Sequence, residues 1–164
     1  MTGRSRARFS LESGYTFVEL IIVAAILAIL ASVVIPLVQV VSQRQREVEL
    51  RYELRQLRNA IDKFKDAVDS GAVAQTELKP DNEGYPPDLE TLVEGVPAAG
   101  DATGRKIRFG LRRIPLDPMT NSTDWGMRSY QDKADSTSWG RQNVFDVYSK
   151  SEATALDGTK YKDW

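Results

Sequence analysis

Residues 18–38 form an unbroken apolar run of more than twenty residues in which the only ionisable side chain is Glu19. Wound as a helix rising roughly 1.5 Å per residue, such a run is long enough to cross a hydrocarbon core of about 30 Å. Whatever the rest of the chain does, this part needs an apolar surrounding. Ahead of it, residues 1–14 carry Arg4, Arg6 and Arg8 against Glu12. A cleaved secretory signal fits poorly, because no pair of small residues with A-x-A spacing closes the run and the helical pattern continues beyond it. A membrane span fits better. Its orientation is not set by charge, since Arg44, Arg46, Arg51 and Arg55 flank the far side as densely as the leader flanks the near side.

Glu19 separates this segment from a plain anchor. A carboxylate at the centre of a span costs about 2.5–3.5 kcal/mol on insertion scales, less near an end, and commonly marks a pairing site. No cation lies within the run. Were the chain cut after Gly14, the new α-amine of Tyr15 would lie one turn away, on the same chain or, in a staggered bundle, on a neighbour. The plainer alternative is an acid hydrated among lipid headgroups.

Gly14-Tyr15-Thr16-Phe17-Val18-Glu19-Leu20, behind a short basic leader and ahead of an apolar helix, resembles the processing site of type IV prepilins and pseudopilins. The resemblance implies cleavage after Gly14 by a membrane-embedded prepilin peptidase, N-methylation of Tyr15 and a role for Glu19 in assembly. Tyr15 departs from the family's more frequent Phe, a similar ring. Pro36 stands where many members carry a helix-distorting proline. It lacks an N–H and clashes with the preceding turn, so a kink or local melting is expected, either as a mere membrane exit or as slack for filament packing.

Beyond Pro36, Leu50, Leu54, Leu57, Ile61, Phe64 and Val68 recur at steps of four and three among charged residues, which predicts an amphipathic helix closed near Gly71. A single helix over about residues 15–70 follows. Residues 71–104 read as loop with a short helix at 88–94, capped by Asp88. Alternation of Ile107, Phe109 and Leu111 with Arg108, Gly110 and Arg112 predicts a strand, and two more are expected over 125–130 and 144–148. The expected fold is α+β, pilin-like, with a long N-terminal helix, transmembrane in its first half and amphipathic in its second, packed on a small antiparallel sheet. The expected divisions are a leader at 1–14, a transmembrane or filament-core helix at 15–41, its amphipathic half at 42–70 and a globular domain at 71–164.

The chain has no histidine and no cysteine, which removes the usual general base, the thiol nucleophile and the commonest zinc ligands. No nucleophile, base and orienter stand together, so an enzyme is not expected. Asp132 and Asp135 read as solvated loop residues and Asp117-Pro118 as a turn opener. Trp125, Trp139 and Trp164 read as core or loop anchors. The formal net charge of −1 offers no footprint for nucleic acid.

Gly84-Tyr85-Pro86, Ile114-Pro115-Leu116-Asp117-Pro118 and Phe145-Asp146-Val147-Tyr148-Ser149 resemble the major pseudopilins of type II secretion systems. On residue types alone, the segment holding Ser151, Glu152, Asp157, Gly158 and Asp163 is either a solvated loop with an Asp-Gly turn or a site for a hard cation, with Lys150, Lys160 and Lys162 among the acids. The resemblance implies calcium, with Asp157 as first ligand and Asp163, Glu152 and Ser151 behind it. It also implies a homo-oligomeric helical filament, inserted first as a single-pass inner-membrane protein with its globular domain in the periplasm. Minor pseudopilins and an inner-membrane assembly platform are the implied partners. A surface pilus for adhesion, motility or DNA uptake and a membrane-anchored periplasmic binding module are the alternatives.

Overall fold

The computed structural model describes residues 14–74, 82–101 and 103–164. The predicted leader, apart from Gly14, lies outside the described residues. The chain divides into two units, Met1–Val41 and Ser42–Trp164.

The first element, α1, spans Phe17–Asp69. Its helical assignment runs unbroken through Pro36, so the expected local melting does not occur. A proline costs one backbone hydrogen bond and some crowding, and a long helix already nucleated on both sides absorbs that loss. Thr16 starts the helix, its hydroxyl accepting the Glu19 N–H at 3.2 Å. Gly71 ends it at φ +71°. The Gly71 N–H donates to the Val68 carbonyl and the Ala72 N–H to the Ala67 carbonyl, both at 2.9 Å, a paired closure that satisfies two orphan carbonyls of the last turn.

From Leu50 onward α1 is amphipathic in earnest. Leu50, Leu54, Leu57, Ile61 and Phe64 are buried, and Phe109, Trp125, Val144, Val147 and Tyr161 close over them. Phe64 and Phe109 meet with ring centroids 5.0 Å apart. A short helix, α2 (Leu89–Glu94), follows, and Asp88 caps it as expected, accepting from the Thr91 N–H at 2.8 Å and the Thr91 hydroxyl at 2.6 Å.

The sheet differs from the expected one. Two separate two-stranded antiparallel sheets form, β1 (Val96–Pro97) with β2 (Lys106–Ile107) and β3 (Gly126–Arg128) with β4 (Asp146–Tyr148). In the second, Gly126 opposes Tyr148 and Arg128 opposes Asp146. Phe109 and Leu111 do point inward as their alternation implies, yet the strand stops at Ile107, opposite Val96, because the opposing backbone turns away at Gly95 with φ +76°. Alternation reports which side chains face the core. It does not report whether a partner strand is present to pair with.

The first and third of the tail motifs lie side by side. The Val144 N–H donates to the Pro86 carbonyl at 2.7 Å, and the Tyr85 ring stacks on Tyr130 and meets Phe145 edge-on at 5.1 Å. All three tryptophans are anchors. Trp125 is buried and donates to the Pro115 carbonyl at 2.9 Å, Trp139 donates to the Asn143 carbonyl at 2.8 Å and Trp164 to the Thr159 hydroxyl at 2.7 Å.

Gly95 joins α2 to β1 at φ +76°, where a Cβ would run into the Ile107 carbonyl across the first sheet. Replacement therefore combines an unfavourable backbone region with a steric conflict that backbone atoms cannot relieve. Gly95→Ala is expected to cost about 2 kcal/mol or more, read as a lowered thermal midpoint of the full chain in detergent.

Candidate functional site

Two regions hold the residues singled out by sequence. In the N-terminal segment, Gly14 and Tyr15 precede the helix in irregular backbone, and Tyr15 is exposed. A Cβ built on Gly14 meets nothing within 4 Å among the described residues. Among the described residues, then, the fold gives no reason for glycine at this position. Glu19 sits in the first turn of α1, exposed, and among the described residues its carboxylate forms no ion pair or hydrogen bond. Its place three residues after Thr16 makes a T-x-x-E helix start, and a negative charge there also favours the positive end of the helix. That cap, visible in the sequence, passed unread.

The segment behind Glu19 has no cover. Every described large apolar side chain between Phe17 and Val41 is exposed, from 47% at Val23 to 77% at Phe17. An 18-residue window of α1 reaches a mean hydropathy of 3.1 with none of it buried. By length and composition this stretch is able to cross a membrane.

The second region is the C-terminal loop. Its tight turn closes through the Ala155 N–H to the Thr159 carbonyl at 2.8 Å and the Gly158 N–H to the Ala155 carbonyl at 3.0 Å. Tyr161–Asp163 form a short 3₁₀ turn with Tyr161 buried. The loop docks on α1 through Glu47, which is itself buried. Its Oε1 accepts from the Leu156 N–H at 2.8 Å, the Tyr161 hydroxyl at 2.9 Å and Gln43 at 3.3 Å. Gln43 also reaches the Thr154 carbonyl at 3.2 Å and the Tyr161 hydroxyl at 2.9 Å. Burial pushes the Tyr161 hydroxyl above its ordinary 10, keeping it a donor across the neutral range. Sequence reasoning missed Glu47, yet a signal existed. It lies three residues before Leu50, on the same stripe as the buried leucines, and an acid on an apolar stripe needs donors.

Of the four residues predicted to hold calcium, Asp157, Glu152 and Ser151 are engaged with other partners and Asp163 is exposed. Asp157 accepts the Thr159 N–H at 2.9 Å and the Thr159 hydroxyl at 2.6 Å on Oδ1, while Oδ2 faces Arg51 at 3.4 Å. Glu152 pairs with Lys162 at 2.9 Å. The Ser151 hydroxyl accepts the Ala153 N–H at 3.4 Å, and Asp163 is exposed in the 3₁₀ turn. Among the described residues no three Asp or Glu side chains gather as a cation site would need. The Thr159 donors, chiefly its hydroxyl, hold the Asp157 carboxyl below 3.8, and the bond from Lys162 holds Glu152 below 4.5. Both folded values are depressed. These contacts are therefore fully present above the ordinary carboxylate range and are lost only as pH falls through and below it.

Two other acids have more to do than expected. Asp117 is buried, and it accepts from the Met119 N–H at 2.8 Å, Thr120 at 3.1 Å and Ser149 at 2.7 Å. It is a hub between its own turn and the end of β4 rather than a turn opener alone. Asp132 is no free solvated acid either. It receives the Ser129 N–H at 2.8 Å and the Gly140 N–H at 3.0 Å, which lower its pKa from 3.8. Asp135 stays exposed.

No protein-family model matches the chain, and no curated protein and no solved structure matches it. What the residues establish is an α+β chain with an apolar N-terminal helix and a loop docked on a buried carboxylate.

Removing that carboxylate strands the Leu156 N–H and the Tyr161 hydroxyl. Glu47→Ala is expected to lose about 3 kcal/mol, and Glu47→Gln, which keeps an acceptor oxygen, less than half of that. Thermal unfolding of the two variants, with hydrogen exchange over residues 154–164 as the local readout, checks the order.

Proposed function

We propose that the chain is a structural subunit of a type IV pilin-like filament, a major pseudopilin whose assembly from the inner membrane drives protein secretion through a type II secretion system. The observation that carries this reading is the uncovered apolar surface of α1 from Phe17 to Val41, on a chain whose remaining residues build a core of their own. Such a surface demands either lipid or other copies of itself. The pilin-like reading supplies both in turn, lipid before assembly and neighbouring helices after it.

Two details support processing. The bond between Gly14 and Tyr15 lies ahead of the helix in irregular backbone with Tyr15 exposed, so a peptidase reaches it without unwinding a turn. Among the described residues nothing crowds a side chain at position 14, and glycine there suits a peptidase subsite too small for one. Cleavage there removes the leader and creates the cation that Glu19 lacks. In the filament the Tyr15 amine of one copy pairs with Glu19 of the next. Either charge alone in an apolar bundle costs several kcal/mol, so the pair fixes axial register. Head-to-tail contacts that do not close on themselves extend the assembly without limit. The peptidase, the assembly platform and minor pseudopilins are the partners of this reading, with the globular domain in the periplasm.

Glu19→Ala is expected to leave cleavage at Gly14 largely intact while abolishing assembly, and normal filaments from that variant would refute the pairing role. Gly14→Glu is expected to accumulate a precursor heavier by the leader, about 1.5 kDa, on intact-mass measurement. Long extracellular fibres at native expression would favour the surface pilus instead, and a mature protein retaining Met1 would favour the anchored binding module.

A further inference from the structure

We infer that the Arg51 guanidinium does for the C-terminal loop the work that a bound divalent cation would do, so that this loop is ordered without metal. Four residues form a closed ring. Arg51 places its guanidinium carbon 4.0 Å from the centroid of the Trp164 ring and its Nη2 3.4 Å from Asp157 Oδ2. Asp157 Oδ1 takes both the N–H and the hydroxyl of Thr159, and the Thr159 hydroxyl in turn accepts the Trp164 indole N–H at 2.7 Å. Each member thus touches two others, and the positive charge sits against the carboxylate expected to be the first calcium ligand.

A second arginine extends the arrangement. Arg58, seven residues and so about two turns further along α1, donates to Asp146 at 2.8 Å, the Val147 carbonyl at 3.0 Å and the Trp164 main-chain oxygen at 2.8 Å. The 3₁₀ turn is thereby fixed at its far end, while Glu47 and Tyr161 fix its near side. Calcium asks for about 6–8 oxygen ligands around one point. Here Asp157 is turned toward a guanidinium and a threonine, Glu152 toward Lys162, and Ser151 accepts a main-chain N–H. To recruit them a cation would have to break the ring and expel Arg51.

The arrangement also explains why arginine, rather than lysine, suits this position. A planar guanidinium stacks on an indole face with one edge free for a carboxylate, whereas an ammonium is a point charge that does one or the other. Arg51 is a positioning residue, and the inference does not depend on the filament reading. It holds or fails for the isolated full chain in detergent.

The experiment follows thermal unfolding and hydrogen exchange of residues 154–164 in the wild type, Arg51→Met, Arg51→Lys and Arg51→Met/Asp157→Asn, each in millimolar calcium and in EGTA. The wild type is expected to unfold at the same temperature in both. Arg51→Met should fall by ~3–5 °C and exchange faster in the loop, with no recovery in calcium. Arg51→Lys should recover only part of the loss, since charge returns without the flat fork, and adding Asp157→Asn to Arg51→Met should cost little more. A calcium-induced rise of more than ~2 °C in the wild type, slower loop exchange in calcium than in EGTA, or full rescue by lysine overturns the inference.

Discussion

Two-stranded sheets are marginal in water, and the described residues form two of them, of two and three residue pairs. What makes them durable is the stripe of Leu50, Leu54, Leu57, Ile61 and Phe64 on one side of α1. Neither sheet supplies a hydrophobic face large enough to stand alone. The irregular stretches around Phe109, Trp125 and Tyr161 pack on the same stripe, so the globular unit is organised around a helix face rather than around a sheet. Polar loops are then secured one by one, by Asp117, Asp132 and Glu47, each accepting bonds from the backbone or side chains beside it.

One helix serves two surroundings, and its sequence changes style to match. Up to Val41 its described large apolar side chains are exposed all round, and past Glu47 most of them lie buried along one side, with Val48 and Tyr52 left exposed. A helix that is apolar on every face has no preferred direction of burial, which suits a lipid environment or a bundle of like helices. A striped helix has one direction only. The proposed filament subunit needs both kinds of behaviour in a single element, and the capped start at Thr16 leaves Gly14 and Tyr15 ahead of the helix.

Much of the helical architecture was readable in advance because its signals are local. The stripe, the glycine that ends α1 and the aspartate that starts α2 each act within about one turn of where they stand. The sheets were less readable. Inward-facing Phe109 and Leu111 announce themselves by alternation, but a partner strand is a fact about distant residues. Acids were least readable of all. Asp117 in an Asp-Pro pair and Asp132 in a polar loop look solvated until Ser149 or Gly140 arrives from elsewhere in the chain. The contact of Asp157 with Arg51 was equally out of reach, since the two lie 106 residues apart. Glu47 is the exception, because its position on the stripe marked it as an acid in need of donors.

The bonds that fasten residues 154–164 to α1 join positions between 106 and 118 residues apart. Contacts of such long range form late, because the loop they close must first be gathered. The leucine stripe and Glu47 therefore stand well ahead, in chain order, of the segment that supplies the donors for that carboxylate. Until residues 154–164 arrive, the Glu47 carboxylate meets water in place of the Leu156 N–H and the Tyr161 hydroxyl, so the polar end of the stripe is the last part of it to close.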